Sequence, residues 1–134
     1  MKLLVLCGPS GSGKSVLEKN LITEHSYLFN KLPQVSTREK RSNERFGDPY
    51  IFITHDTFAF IQNKLIGRIL SKESIYSHQY GTLPDIVNNK VNTLILSEDA
   101  IIDLLYQVSN KKGFFKDKND NDINFIIYNI WTIS

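Results

Sequence analysis

The chain has 134 residues, 41% of them hydrophobic, which fits one compact domain and excludes an intrinsically disordered chain. Sixteen basic side chains against fourteen acidic ones leave a net charge of +2, too small for a nucleic-acid footprint, so nucleic acid is not the expected partner. One cysteine, Cys7, excludes an internal disulfide and a cysteine-based zinc framework, and sets a reducing, cytoplasmic compartment as the expectation.

In chain order, "KLLVLC" (2–7) is a short continuous apolar run, the pattern of a buried parallel strand. It is too short for a signal peptide and breaks at once into "GPSGSGK"; no other stretch approaches a membrane span. From Ser15, the spacing of Val16, Leu17, Leu21 and Ile22 predicts a helix to about His25. "PQVST" (33–37) and "YIFIT" (50–54) read as short extended segments flanking a charged, turn-rich stretch. Thr54 or Asp56 can cap a helix through about Ile66, with Phe58, Ile61 and Leu65 on one face and Gly67 ending it. "VNTLILS" (91–97) is a second buried strand, and "EDAIIDLLYQVS" (98–109) an amphipathic helix presenting Ile101, Leu104, Leu105 and Val108. "KKGFFKDKNDND" (111–122) reads as a polar loop, and "INFIIYNIWTIS" (123–134) as a final strand carrying Tyr128 and Trp131. Strands alternating with helices predict a parallel α/β sheet with helices on both faces.

Between the first strand and first helix, Gly8, Gly13, Lys14 and Ser15 match G-x-x-x-x-G-K-[ST], the P-loop pattern in its required context. Glycines let the backbone of Gly8, Pro9, Ser10, Gly11, Ser12 and Gly13 turn its N–H groups toward a polyphosphate, which a side chain would obstruct. Lys14 is then placed to reach the terminal phosphates and the Ser15 hydroxyl to ligate Mg²⁺, so ATP with Mg²⁺ is the implied ligand. A merely flexible turn is the plainer alternative.

The stretch "QVSTREKRSNERFGDPYIF" carries the second constellation. Arg38 and Arg41 lie three residues apart beside a turn, so two guanidinium forks could converge on one phosphate, with Tyr50 as a neutral donor. The alternative is a solvated hairpin in which these arginines pair with Glu39 and Glu44. Together with "GPSGSGK", the segment resembles the guanylate kinase family, whose pattern S-x-T-T-R-x-x-R-x-x-E-x-x-G-x-x-Y-x-F is met without a gap at Thr37, Arg38, Arg41, Glu44, Gly47, Tyr50 and Phe52. "QYGT" (79–82) similarly resembles that family's "YYGT".

The resemblance implies a P-loop three-layer sandwich with a mainly parallel sheet, one domain over 1–134 with a nucleoside-monophosphate-binding segment inserted at about 34–82. It implies transfer of the ATP γ-phosphoryl group to GMP, dGMP or a related nucleoside monophosphate, with Lys14, Arg38 and Arg41 as the catalytic residues. The acceptor nucleotide would be bound by Gln34, Ser36, Arg38, Arg41, Tyr50, Glu73, Tyr80, Thr82 and Asp99.

Departures from the family pattern are informative too. Gln34 stands where the family has the serine that contacts guanine. Glu73 meets the family's guanine-binding glutamate only if the intervening loop is shortened. Asp99 falls near the family's acidic D-I-D segment, where it could contact a Mg²⁺ water or the base; equally, Glu98 and Asp99 suit the positive end of the following helix. The family's lid arginines have no counterpart, since no arginine follows Arg68. Lys111, Lys112, Lys116 or Lys118 could substitute only as point charges, and a solvated loop balanced by Asp117, Asp120 and Asp122 is the plainer reading. A weak or inactive nucleotide-binding or protein-interaction module is therefore the alternative function, and a kinase for a larger substrate such as a nucleic-acid end a third, opposed by the charge. Cys7 reads as an inert core residue, and His25, His55 and His78, lacking metal-ligand spacing, as surface or capping residues.

Overall fold

The computed structural model describes residues 2–9, 11–45, 47–70, 78–110 and 124–129. The first apolar run forms β1 (Lys2–Cys7), and after the glycine loop α1 (Lys14–Glu24) leads to β2 (Phe29–Lys31). The chain continues through β3 (Gln34–Ser36), β4 (Ile51–Phe52), α2 (His55–Ile61), β5 (Ile66–Ile69) and β6 (Tyr80–Thr82). It then forms β7 (Val91–Ile95), α3 (Glu98–Asn110) and β8 (Asn124–Asn129).

These strands make two sheets. One, in the order β2-β7-β1-β8, is parallel throughout. The other, β4-β3-β6-β5, is mixed and is built wholly from the chain between β2 and β7. Strand alternation explains how the parallel sheet is covered. Leu3, Val5 and Leu94 point to one face, where they pack with Ile66 of β5 and with Ala100 and Leu104 of α3. Thr93, adjacent to Leu94, points to the other, where its hydroxyl donates to Glu18 of α1 at 3.0 Å. Helices therefore lie on both faces, as the strand-helix alternation predicts. The mixed sheet has its own small core of Val35, Phe58 and Leu65.

A polar seam ties the second sheet to α3. Gln107, fully buried, accepts from the Gly67 N–H at 3.1 Å and donates to the Leu65 carbonyl at 2.8 Å. One helical turn away, Asp103 accepts from the Arg68 backbone N–H at 2.7 Å and from Nε of the same guanidinium at 2.9 Å. Both carboxylate oxygens are engaged, since Arg68 Nη2 reaches the second at 3.2 Å.

The structure corrects the sequence reading at several elements. The helix expected through Ile66 stops at Ile61, passes through a 3-10 turn at Gln62–Lys64 and gives way to β5. Leu65 and Ile66 then point into opposite cores, a strand periodicity that a helical reading cannot produce. Gly67 does not end a helix: it lies within β5 at φ +56°, where a Cβ would come within 2.7 Å of Leu96 Cδ1. On α1 the fully inward residue is Glu18, whereas Val16 is 63% exposed. On α3 the buried positions are Ala100, Leu104 and Gln107, the last held inward by its bonds to β5, and Leu105 and Val108 are exposed. β2, whose central residue is Asn30, carries no apolar pattern and was not expected. The expected loop at 111–122 and Trp131 lie outside the described residues. No helix among the described residues is long and apolar enough to cross a membrane.

Candidate functional site

The loop between β1 and α1 is shaped by its own backbone. The Ser12 N–H donates to the Pro9 carbonyl at 3.1 Å, and Gly11 and Gly13 sit at φ +79° and +92°, a region that favours glycine. A Cβ at either position would meet no protein atom within 4 Å, so both glycines face open space. Lys14 folds its ammonium back across the loop, donating to the carbonyls of Gly8 at 2.9 Å and Pro9 at 3.2 Å. Ser12 Oγ is buried without a hydrogen-bond partner among the described residues, an orphaned polar atom inside the loop.

The helix ends show what this loop is prepared for. The first N–H groups of any helix lack intrahelical partners. At α2, Thr54 Oγ1 accepts from the Thr57 N–H at 3.1 Å, and Asp56 lies in the first turn. At α3, Ser97 Oγ is 3.4 Å from the Ala100 N–H, and Glu98 and Asp99 supply negative charge. At α1, by contrast, the cap is Gly13, with no side-chain cap bond and no acid in the first turn. The positive end of α1 is thus left to an external anion, beside an ammonium and an orphaned hydroxyl.

Ser15, exposed in the first turn of α1, can offer one oxygen to Mg²⁺. No group of three or more His, Cys, Asp or Glu side chains that could hold a metal occurs among the described residues. The donor set therefore suits an ion carried in on a polyphosphate, with most ligands from phosphate and water.

The second constellation lies on the mixed sheet. Arg38 and Glu44 form a two-pronged ion pair, Nη1 to Oε1 at 2.9 Å and Nη2 to Oε2 at 2.8 Å. The guanidinium lies 5.4 Å from the Tyr50 ring centre and 5.3 Å from that of Phe52. Hydrogen bonds from Arg38 and from the Arg41 backbone N–H pull the Glu44 carboxyl down to about 2. The pair raises the Arg38 guanidinium in turn, chiefly through its hydrogen bond to Glu44. The exposed Arg41 guanidinium has no carboxylate partner among the described residues. Arg38 and Arg41 line an open groove with Thr37, Glu39, His55 and His78. Burial raises the Tyr50 phenol above its ordinary value, keeping it a neutral donor.

Beside that groove is a cavity of about 220 Å³ between the two sheets. Gln34, Tyr50 and Tyr80 line it from the mixed sheet; Ile95, Leu96 and Ser97 line it from the end of β7. The Tyr50 and Tyr80 rings meet edge to face at 5.4 Å. β7 and β1 are paired neighbours, with Ile95 opposite Leu6 and the Leu96 N–H donating to the Leu6 carbonyl at 3.0 Å. The cavity and the glycine loop therefore both adjoin the carboxyl edge of the parallel sheet, one strand apart, where ligands of open α/β sheets bind.

The expected acceptor residues separate by position. Gln34, Tyr50 and Tyr80 share the cavity, and Arg38 and Arg41 share the groove. Thr82 is fully buried behind Gln34, accepting from its amide at 3.2 Å. Ser36 is also fully buried, and its Oγ accepts from the Arg38 N–H at 3.0 Å, so it shapes the turn that presents Arg38. Asp99 is exposed at the start of α3 and lines neither the cavity nor the groove. Ser10 and Glu73 lie outside the described residues. Sequence reasoning missed Ser97 and Leu96, although the rule that ligands gather at strand carboxyl ends points to both. His55 and His78, expected as surface or capping residues, both line the open arginine groove, and His55 Nδ1 lies 2.8 Å from Gln79 Oε1.

The protein-family model described as guanylate kinase matches residues 1–110. The chain belongs to the guanylate kinase family. Among curated members, the guanylate kinase of Thermotoga maritima is 34% identical over 117 residues, covering 84% of this chain and 53% of that protein. That of Sus scrofa is 35% identical over 79 residues, covering 59% and 39%, and that of Trichormus variabilis 33% identical, covering 69% and 45%. The chain spans about half the length of the curated guanylate kinases it matches, or less. A guanylate kinase structure from Anaplasma phagocytophilum superimposes with a TM-score of 0.54 at 19% identity, covering 95% of this chain and 58% of that one, which establishes the shared P-loop fold.

Proposed function

We propose that this chain is a nucleoside monophosphate kinase that transfers the γ-phosphoryl group of ATP to GMP, dGMP or a related monophosphate. The observation that carries the reading is the common edge: the glycine loop with Lys14, and a cavity whose Tyr50 ring lies against the Arg38 guanidinium, both adjoin the ends of neighbouring strands. In this reading Gly8 to Ser15 hold the ATP phosphates, with Mg²⁺ taking one ligand from Ser15, and residues 34–82 hold the acceptor. The base enters the cavity between Gln34, Tyr50 and Tyr80, and its phosphate meets Arg41 and the Tyr50 hydroxyl. An acceptor phosphate oxygen attacks the γ-phosphorus in line; the bond from that phosphorus to the bridging oxygen breaks, and ADP leaves with the electron pair. Catalysis here is positioning and charge neutralisation: Lys14, freed from the Gly8 and Pro9 carbonyls, swings onto the transferring group.

The test is ADP release from ATP·Mg²⁺ with a panel of ribo- and deoxynucleoside monophosphates. Transfer to at least one acceptor, lost in Lys14→Ala while the circular dichroism spectrum is retained, is the expected result. Nucleotide binding without transfer to any acceptor would refute the kinase reading and leave a nucleotide-binding module.

A further inference from the structure

The arginine groove holds one side chain whose hydrogen is fixed from behind. His55, half-buried at the start of α2, has its Nδ1 2.8 Å from Gln79 Oε1. Gln79 is itself clamped: its Nε2 donates to the Leu70 carbonyl at 2.6 Å, its backbone N–H donates to Thr37 Oγ1 at 2.9 Å, and its carbonyl accepts from the Thr37 N–H at 3.1 Å. The Leu70 carbonyl can only accept, so the amide nitrogen must face it; reversing the group would set two carbonyl oxygens against each other. Oε1 therefore faces Nδ1 and accepts from it, which places the single N–H of a neutral His55 ring on Nδ1. What is left is Nε2, a bare lone pair that has no partner among the described residues and is not sealed from solvent. Gln79 is also where "QYGT" departs from the family's "YYGT", so this relay is a property of the chain rather than of the family pattern.

Arg38, Glu39, Arg41 and His78 line the groove with His55, and Asp56 follows it in the first turn of α2. Glu39 and Asp56 favour a charged imidazole; Arg41, and His78 when charged, oppose it, while Arg38 is already paired with Glu44. A phosphate dianion tips this balance. Its oxygens can only accept, so they repel the Nε2 lone pair of a neutral ring but form a charge-assisted bond with an Nε2–H. Imidazole is the side chain that changes charge near neutral pH. We infer that His55 is a further cationic partner of the acceptor phosphate beside Arg41, and that it becomes one by taking up a proton as the nucleotide binds. The inference rests on the monophosphate-binding reading above and adds to it the proton that accompanies binding. That proton leaves the buffer acid and forms the Nε2–H bond; no bond of the nucleotide breaks. Acceptor affinity then depends on pH: with half a proton taken up, it falls about threefold for each pH unit above neutrality.

Isothermal titration calorimetry of the full chain at about pH 7.5, in HEPES and in Tris, tests this with GMP, AMP, CMP and UMP. The two buffers differ in ionisation enthalpy, so a proton taken up on binding appears as a difference between the two binding enthalpies. The expected result is uptake of about half a proton or more with a monophosphate that binds, retained in His78→Gln and abolished in His55→Gln. Equal enthalpies, once corrected for nothing but dilution, overturn the inference for the wild type while leaving the monophosphate site standing. So does uptake that survives in His55→Gln or is lost in His78→Gln. No binding by any monophosphate overturns both. Should His55→Gln fail to fold, the wild type still decides, because proton uptake requires its acceptor affinity to fall between about pH 7 and 8.5, and a flat profile refutes it.

Discussion

The seam between β5 and α3 yields a prediction whose size follows from bond counting. Gln107→Leu keeps nearly the same volume at a fully buried position but removes the acceptor of the Gly67 N–H and the donor to the Leu65 carbonyl. With volume conserved, the cavity contribution is small, and what is lost is the pairing of two buried backbone groups. At about 1–3 kcal/mol for each unsatisfied group, the variant should lose about 2–6 kcal/mol. The neighbouring Arg68–Asp103 pair holds β5 in register, so the strand cannot move away to hydrate those groups. Urea denaturation with linear extrapolation measures the loss. Gln107→Glu supplies a second reading. Its carboxylate can still accept from Gly67 but opposes the Leu65 carbonyl; once protonated, it can donate there. Burial raises the folded pKa of such a group, so the stabilising protonated form is fully present below the unfolded value of about 4.3 and is lost as pH rises through the folded one. The Glu variant should therefore approach the wild type on acidification, whereas the Leu variant should not. A loss below about 1 kcal/mol for Gln107→Leu, or a Glu variant parallel to it across pH, would refute the seam as a load on stability.

Other expectations are narrower. Gly67→Ala should cost about 2–5 kcal/mol in the same denaturation assay, adding about 1–2 for a left-handed residue with a Cβ to about 1–3 for forcing Leu96 aside; the predicted clash is at 2.7 Å. Glu18 has its pKa raised by burial, against the opposing pull of Lys31 and Thr93. Its stability contribution is fully present below the ordinary value of 4.5 and is lost as pH rises through the raised folded value, so Glu18→Gln should gain on the wild type as pH rises and match it most closely in acid; paired urea midpoints at the two extremes check this. Arg41→Ala should raise the acceptor KM by about tenfold or more in steady-state transfer assays, since it removes a charged hydrogen bond to phosphate with little effect on the folded state. An unchanged KM would remove Arg41 from the acceptor site.

What the sequence made legible was governed by how local each signal is. The P-loop is a contiguous pattern whose meaning lies in its backbone, and it appears in the structure with the flanking strand and helix expected of it. β1 is an almost continuous apolar run because both faces of a parallel strand are covered, and β7, though it buries Asn92 and Thr93, was also read correctly as a buried strand. β5 was not, because "LIGRI" alternates only once its two cores are known: Leu65 and Ile66 serve different sheets, and Arg68 is buried by a carboxylate thirty-five residues away. The inward face of α1 was misread for a similar reason. Glu18 is an interior residue only by virtue of Thr93 and Lys31, which a helical hydrophobic count treats as unrelated. Of the residues expected to bind the acceptor, Arg38 and Arg41 line the groove and Tyr50 the cavity. Nothing in the linear order could show that Ser36 and Thr82 are sealed behind their neighbours.

The charged stretch from Arg38 to Glu44 shows how two competing readings can both describe one segment. A hairpin neutralised by its own acids and an arginine pair aimed at phosphate are competing descriptions, and Glu44 divides them. It takes both prongs of Arg38 and the backbone N–H of Arg41, leaving the Arg41 side chain outside the pairing. Two unpaired guanidinium groups three residues apart would repel each other and hold the turn open in the absence of an anion. With Arg38 neutralised and flanked by the Tyr50 and Phe52 rings, the turn is ordered in advance, and Arg41 is the guanidinium left to the groove, which Glu39 also lines. A dianionic phosphate arriving there need not order the loop, which reduces the entropy cost of binding. It also finds Arg38 held by a carboxylate kept ionised far below neutral pH, so the arrangement persists across the physiological range and down to the region of pH 2, where protonation of Glu44 would release the guanidinium.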